Sequence, residues 1–415
     1  MQKQMSLSFE PRLAKMFVID GKEDVVPFVI RVKGLKSVKT RSVYFIAIDS
    51  SLSMDGAKIF FAKEAVIRML KHLDQEDYIS VYTFCGKVSK IVSMEKIKDS
   101  DKITKLVADI KLGGGTDIHR VLEYMYRDIL LLVSRAEKNN GDEVPKDIKI
   151  ILVTDGNPTT GVKNENKILD IAEKLGKYTS ISLVLGIGDD YNEKLLMDIA
   201  SKTKGFFEHL SDPSAIPTLV DKMVSKYRAL SAKNTKIFIR PAPGVGVYIY
   251  NKPAYNVKGG VEVEVGDVYG DEIVNVVGEF IVPPQKPGPI FLASMATNYV
   301  DGNDKPIESE IATLTIPCLR TGISESLEID DKVFKEVNIV RMASVLAKNL
   351  YGEISANKLN ELVQELTNMT IDIDRRDLYS RTIDLKAQLE KEGLSPEVIK
   401  KFVALLSKIL SGRYE

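Results

Sequence analysis

Between Ser42 and Leu210 the chain alternates short, nearly continuous apolar runs with segments of helical periodicity, and this alternation constrains the fold more than any other feature. The runs are VYFIAI (43–48), DYISVYTF (77–84), IKIILVT (148–154), ISLVLGI (181–187) and GFFEHL (205–210). Strand-sized runs of this kind are expected in a parallel sheet whose two faces are both covered by helices. In the first gap Ile59, Ala62, Val66, Met69 and Leu73 recur at steps of three and four, the apolar stripe of one such helix. Ligands of open α/β sheets bind outside the carboxyl ends of the strands, so chemistry is sought in the residues that follow each run.

The flanking sequence has a different texture. Met5–Phe9 and Val25–Lys33 (VVPFVIRVK) are β-rich and separated by the turn-like Asp20-Gly21. Residues 235–320 hold the runs KIFIR, VGVYIY, VEVEV, EIVNVVGEFIV, PIFLASMATNYV and EIATLTIP, divided by Gly, Pro, Asn and Asp as in Pro241-Ala242-Pro243-Gly244 and Asp301-Gly302-Asn303-Asp304. Strands at this spacing predict an antiparallel β-sandwich, and the N-terminal strands are the natural partners for its edges. The α/β region then reads as an insertion within the sandwich. The remainder is helical. Asp331–Asn349 carries an apolar stripe (Val333, Val337, Val340, Val345), Leu359–Leu366 and Leu378–Leu389 follow, and Ser395-Pro396-Glu397 opens a last helix with an N-cap and a first-turn proline. The expected layout is sandwich strands in 1–40, an α/β domain in 41–232, sandwich in 233–328 and a helical domain in 329–415.

At 415 residues two or three domains are expected, and 44% hydrophobic with 28% charged residues is ordinary for a globular protein. Lys plus Arg number 58 and Asp plus Glu 58, a balance that does not call for nucleic acid or an anionic membrane as partner. MQKQMSLSFEPRL has no signal-peptide core and no run is long enough to span a bilayer. Cys85 and Cys318 form no spaced pair, which argues against a disulfide framework or a thiolate zinc site. Together these features lead to the expectation of a cytoplasmic protein.

The strongest local signal is Asp49-Ser50-Ser51-Leu52-Ser53, directly after the first apolar run. Gly113-Gly114-Gly115-Thr116-Asp117 precedes a helical segment, and Val153-Thr154-Asp155-Gly156 ends the third run. Taken singly, such residues are more often helix caps and turns. In this order, each at a strand end or helix start, they resemble the metal-ion-dependent adhesion site of von Willebrand factor A domains. The resemblance implies a Rossmann-like sheet and a divalent ion, Mg2+ (or Mn2+/Ca2+), held by Asp49, Ser51, Ser53, Thr116 and Asp155. The residue types suit that chemistry, because magnesium takes oxygen ligands and uses only one or two carboxylates. Such an ion stays electrophilic and can accept an acidic side chain from a partner. Met54-Asp55-Gly56-Ala57-Lys58, Ala62-Lys63-Glu64-Ala65 and Asp77 resemble the intracellular branch of the family. Leu52 departs from it, standing where many members carry glycine and threatening to crowd the loop.

Enzyme readings are weaker. A phosphohydrolase of the haloacid dehalogenase type needs a second acid two residues after its aspartate, where this chain has Ser51. The glycine triplet fits neither nucleotide-binding pattern. His72, His119 and His209 lack ligand spacing, and Tyr248, Tyr250 and Tyr255 read as sandwich packing. The order sandwich strands, A domain, sandwich and terminal helices is similar to the core of the COPII inner-coat subunits. It is also similar to the archaeal A-domain proteins of the archaellum regulatory network. That likeness implies a non-catalytic, phosphorylatable repressor of motility genes, bound by a forkhead-associated (FHA) domain protein and acted on by a Ser/Thr kinase and phosphatase. FHA domains read the residue three positions after a phosphothreonine, which makes Thr370 (with Ile373) and Thr382 (with Leu385) the candidate sites. A partnership with a MoxR- or chelatase-type AAA ATPase is the alternative binding role.

Overall fold

The computed structural model describes residues 6–138, 147–302, 304–309, 311–320, 329–348, 356–373 and 375–413; Met5, Asn303, Glu310 and Asn349 of the segments above lie outside them. The chain forms two compact units, one of Lys39–Arg228 with Ser395–Ser407, the other of Met1–Val38 with Ala229–Leu394 and Lys408–Glu415.

Along the chain, β1 (Leu7–Leu13), β2 (Val18–Ile19), β3 (Asp24–Gly34) and β4 (Val38–Lys39) come first. The α/β unit then runs β5 (Ser42–Asp49), α1 (Ala57–Leu70), β6 (Tyr78–Phe84), β7 (Val88–Lys96), α2 (Ser100–Ala108), α3 (Ile118–Lys138), β8 (Asp147–Thr154), α4 (Glu165–Gly176), β9 (Ile181–Ile187), α5 (Glu193–Lys202), β10 (Phe206–Leu210) and α6 (Ile216–Lys226). Its sheet has the order β10-β9-β8-β5-β6-β7. Every residue of β5 and β8 is buried, as strands covered on both faces must be. Helix α1 packs with α2 and α6, while α3, α4 and α5 pack in succession. The apolar stripe expected in the first gap is the buried one, with Ile59, Ala62, Val66 and Met69 inside. The pairs β5/β6, β5/β8, β8/β9 and β9/β10 are parallel. Strand β7 was not among the expected strands, and it pairs antiparallel with β6. It is an edge strand, so serine and charged residues alternate with its few apolar ones and the run lacks the apolar continuity of the others. Because the chain leaves β5 for β6 on one side and β8 lies on the other, the switch point of the sheet falls between the carboxyl ends of β5 and β8.

The second unit continues with β11 (Ala229–Pro241), β12 (Gly246–Ile249), β13 (Ala254–Val257), β14 (Gly260–Tyr269), β15 (Ile273–Val282), β16 (Gly288–Asp301), β17 (Pro306–Glu308) and β18 (Ala312–Leu319). One sheet is β1-β3-β15-β12 and the other β13-β14-β11-β16-β18-β2. Strand β3 pairs antiparallel with β15 from Lys33↔Ile273 to Asp24↔Val282, so strands from before the α/β region complete the sandwich, as expected. Phe28, Ile30, Val276 and Phe280 of one sheet share a core with Ile237, Ile239, Val263 and Met295 of the other.

Helices α7 (Asp331–Lys348), α8 (Ala356–Asp372) and α9 (Arg376–Glu392) belong with the sandwich, and α7 lies on β3 and β15. The last helix, α10 (Pro396–Ser411), begins as expected, with Val398 N–H donating to the Ser395 hydroxyl (3.3 Å). It differs from the other three in that Ser395–Ser407 group with the α/β unit. The reason is the edge of that unit's sheet: Phe207 N–H of β10 donates to Ser407 Oγ (3.0 Å), and Lys400 Nζ donates to the Asp189 carbonyl (2.6 Å). A helix laid over an edge strand satisfies groups that would otherwise recruit another chain.

Candidate functional site

The three motif loops meet at the switch point. Asp49 is the last residue of β5, and its carboxylate accepts from Ser51 N–H (2.8 Å) and from the Thr154 hydroxyl (2.6 Å) at the end of β8. These bonds curl the loop back over the strand and set Ser51 Oγ 3.0 Å from Ser53 Oγ. Ser53 Oγ donates to Asp155 Oδ1 (2.8 Å), and Lys58 Nζ donates to Asp155 Oδ2 (2.6 Å).

The threonine loop is strapped alongside. Gly113 N–H donates to the Ser50 carbonyl (2.8 Å), Gly86 N–H to the Gly114 carbonyl (2.7 Å) and Asp117 N–H to the Cys85 carbonyl (2.9 Å). Thr159 and Thr160 N–H groups donate to the Thr116 carbonyl (3.0 and 3.2 Å). Gly115 has φ +81°, and a Cβ on it would stand 2.6 Å from Thr160, so the loop requires glycine there. The helix-cap reading holds for one residue: Asp117 accepts from Arg120 N–H (3.0 Å) and caps α3. Thr116 is left over from that role, and its hydroxyl lies over the loop after β8, 3.5 Å from where a Cβ on Gly156 would be.

Asp49 and Asp155 are fully buried and Ser51 and Thr116 nearly so. Burial pushes the Asp49 carboxyl up to about 6; bonds from Thr154 and Ser51 pull it down, and the charge of Asp155 pushes it up again. Two buried carboxylates with the single ammonium of Lys58 leave a net negative charge, which favours a cation. One pair of oxygens also has suitable spacing. Octahedral magnesium at about 2.0–2.1 Å places neighbouring ligand oxygens roughly 2.9–3.0 Å apart, and the Ser51–Ser53 separation is 3.0 Å. Among the described residues no group of three or more His, Cys, Asp or Glu is arranged to hold a metal. The residues present therefore fit a divalent ion. Leu52 does not crowd them: it is 66% exposed and has no positive φ.

The other candidates lie elsewhere. Thr370 and Thr382, expected as phosphorylation sites, are 1% and 0% exposed, and their hydroxyls donate to the carbonyls of Thr367 and Tyr379 (both 2.9 Å). As folded, both are interior residues of α8 and α9, their hydroxyls satisfied by their own helices. His72 is on the surface, 3.7 Å from Asp221. His209 is buried, with Tyr191 Oη on Nδ1 and Ser211 Oγ 3.4 Å from Nε2, and burial lowers its pKa to about 4. Lys58 was missed by the sequence reading as a site residue. Its signal was a lysine in the first turn of a helix, where the dipole disfavours it.

Residues 43–222 match the von Willebrand factor type A domain family. An uncharacterised protein from Synechocystis sp. is 22% identical over 326 residues, 76% of this chain and 73% of that protein. Inter alpha-trypsin inhibitor heavy chain 4 of Mus musculus is 30% identical over 182 residues, 41% of this chain and 18% of that one. Among solved structures, the ArnB paralog VWA2 from Sulfolobus acidocaldarius superposes with a TM-score of 0.68 at 22% identity, covering 98% of each chain. A von Willebrand factor type A protein from Catenulispora acidiphila superposes with a TM-score of 0.72 at 15% identity, covering 93% of this chain and 91% of its own. Among the described residues no helix is long and apolar enough to cross a membrane.

Proposed function

Since residues 43–222 form a von Willebrand factor type A domain, we propose that this chain is a non-catalytic protein-interaction component that binds a divalent cation, Mg2+ (or Mn2+/Ca2+), through Asp49, Ser51, Ser53, Thr116 and Asp155. Bound there, the ion would supply a Lewis-acid position for an acidic group of a protein partner. The observation that carries this reading is the 3.0 Å pair of serine oxygens set beside two buried carboxylates at the switch point of the sheet. The chain's own residues position the donors: Thr154 and Ser51 N–H orient Asp49, and Ser53 orients Asp155.

Calorimetric titration with Mg2+ tests it. One saturable site is expected, weakened roughly 10–100-fold by Asp49→Ala and by Thr116→Ala, as loss of shell groups does elsewhere. Equal binding by wild type and both variants would sink the metal reading.

The more specific part of the proposal is a phosphorylation-controlled role in a network of the archaellum type, with an FHA-domain partner. Its support is the architecture shared with VWA2 over nearly the whole of both chains. The phosphothreonine would have to come from a residue other than Thr370 or Thr382 as they are folded. A pull-down with a recombinant FHA domain, run with and without EDTA and phosphatase, separates metal-dependent from phosphate-dependent capture. Capture that ignores both treatments would count against both mechanisms.

A further inference from the structure

Lys58 is the second residue of α1, where a positive side chain opposes the helix dipole. The first turn of α1 has no acidic residue, and Gly56 at its N-cap offers no side-chain acceptor. A residue placed against local preference is usually held there by a demand from elsewhere in the fold. Here the demand is Asp155. Lys58 Nζ donates to Asp155 Oδ2 (2.6 Å) and to the Ser53 carbonyl (3.3 Å). The lysine side chain is 27% exposed and the carboxylate 0%. Gly188, just past the end of β9, lies against the ammonium: a Cβ on it would stand in ordinary contact, 3.5 Å from Nζ. The other oxygen of Asp155 is taken by Ser53, the same hydroxyl that stands 3.0 Å from Ser51.

Resting on the metal reading above, we propose that Lys58 is a resident counter-ion that competes with the divalent cation for Asp155 and so sets the metal affinity of the site. A fixed positive charge on the shared carboxylate repels a second cation. Removing it relieves that repulsion, but leaves Asp155 buried and unpaired when no metal is bound. Two quantities therefore move in opposite directions: stability without metal falls, and affinity for metal rises. A purely structural ion pair would lower both or leave affinity alone.

The test uses the full chain with Mg2+ as the probe and compares wild type, Lys58→Met and the charge-preserving Lys58→Arg. Lys58→Met is expected to bind Mg2+ about tenfold tighter or more, given the strength of nearby charges in a partly buried site. It should also melt lower in EDTA and gain more than wild type on adding Mg2+. Lys58→Arg should stay within about threefold of wild-type affinity, since its charge is retained. If Lys58→Met does not fold in EDTA, Lys58→Gln is purified in Mg2+ and titrated against an indicator chelator, with the same expectation. Unchanged or weaker affinity in the neutral variants, with wild type binding normally, overturns the role of Lys58 alone. Absence of saturable binding in wild type and variants alike overturns the metal reading and this proposal with it.

Discussion

The two ends of the α/β sheet bury charge in opposite ways. At the amino ends of β5 and β8, Lys149 and Asp147 are both 0% exposed and paired. Ser42 Oγ donates to Asp147 (2.7 Å) and accepts from Lys149 Nζ (2.7 Å), whose ammonium also lies 5.3 Å from the centre of the Tyr44 ring. Asp77 accepts from the Ser42 and Asp74 N–H groups (both 2.9 Å). Hydroxyl and charge here close on each other. At the carboxyl ends of the same strands, Asp155 is paired with the partly exposed Lys58, Asp49 is held by Ser51 N–H and Thr154, and the hydroxyls of Ser51 and Ser53 lie 3.0 Å apart. The contrast teaches that burial of charge does not by itself mark a site. What marks the carboxyl end is a pair of hydroxyl oxygens 3.0 Å apart beside the carboxylates, with a counter-ion that reaches solvent instead of being sealed in.

The sharpest way to break this contrast is to unbalance the closed end. Lys149→Met leaves Asp147 buried without its partner and is expected to cost about 3–5 kcal/mol of unfolding free energy. Mg2+ affinity of the folded protein should not change, because the two ends make no shared hydrogen bonds in the bonds described above. Adding Asp147→Leu should recover most of the loss, since apolar replacement of a whole buried pair is often neutral. Urea denaturation of the single and double variants measures both. A loss below about 1 kcal/mol in the single variant would mean that the pair is not closed.

A second, smaller effect sharpens the carboxyl end. His209, near the end of β10, is held neutral by burial first of all; Lys401 and Lys400 nearby add to this, while Glu397 and Asp189 oppose it. Its folded pKa is about 4, below the ordinary 6.5. The unfolded chain takes up the proton first, so the stability His209 contributes is full above about pH 6.5 and is lost as pH falls towards 4. The whole span is worth about 3 kcal/mol, on the order of half of it gone by pH 5 to 6. His209→Gln should flatten the fall in urea midpoint between pH 7 and pH 5. An unchanged slope would show that His209 is solvated and that this end is looser than described.

The ease of reading the sequence follows the same physics. Apolar continuity made β5, β6, β8, β9 and β10 visible, because strands covered on both faces have no solvent side to dilute the signal. Asp49, Ser51, Ser53, Thr116 and Asp155 were legible as candidates because each lies where a strand ends or a helix begins. Strand β7 was hidden by its exposed edge, with Ser89, Lys90 and Glu95 along it. The docking of Ser395–Ser407 on β10 was hidden because an amphipathic stripe says that a face is buried without naming what it meets. The burial of Thr370 and Thr382 could not be seen either, since a threonine bonded to its own helix has the same spelling as one facing solvent.

The smallest effect expected is at Leu52, between Ser51 and Ser53 of the proposed site. A leucine in place of the family's frequent glycine would be damaging if the loop needed a left-handed residue there, but the backbone at Leu52 has no positive φ and the side chain is 66% exposed. Leu52→Ser should therefore shift stability by no more than about 0.5 kcal/mol, as surface substitutions do. Mg2+ affinity should stay within about twofold, because the bonds that set the ligand spacing come from Ser51 N–H, Thr154 and Ser53. If the proposed metal site receives a partner that also covers Leu52, that contact adds apolar burial of about 1.5–3 kcal/mol. The two titrations separate these roles: a change in metal affinity beyond about fivefold would place Leu52 within the loop's own architecture. Unchanged metal affinity with weakened capture of the acidic partner would place it on the recognition surface, where the open end of the sheet differs most from the closed one.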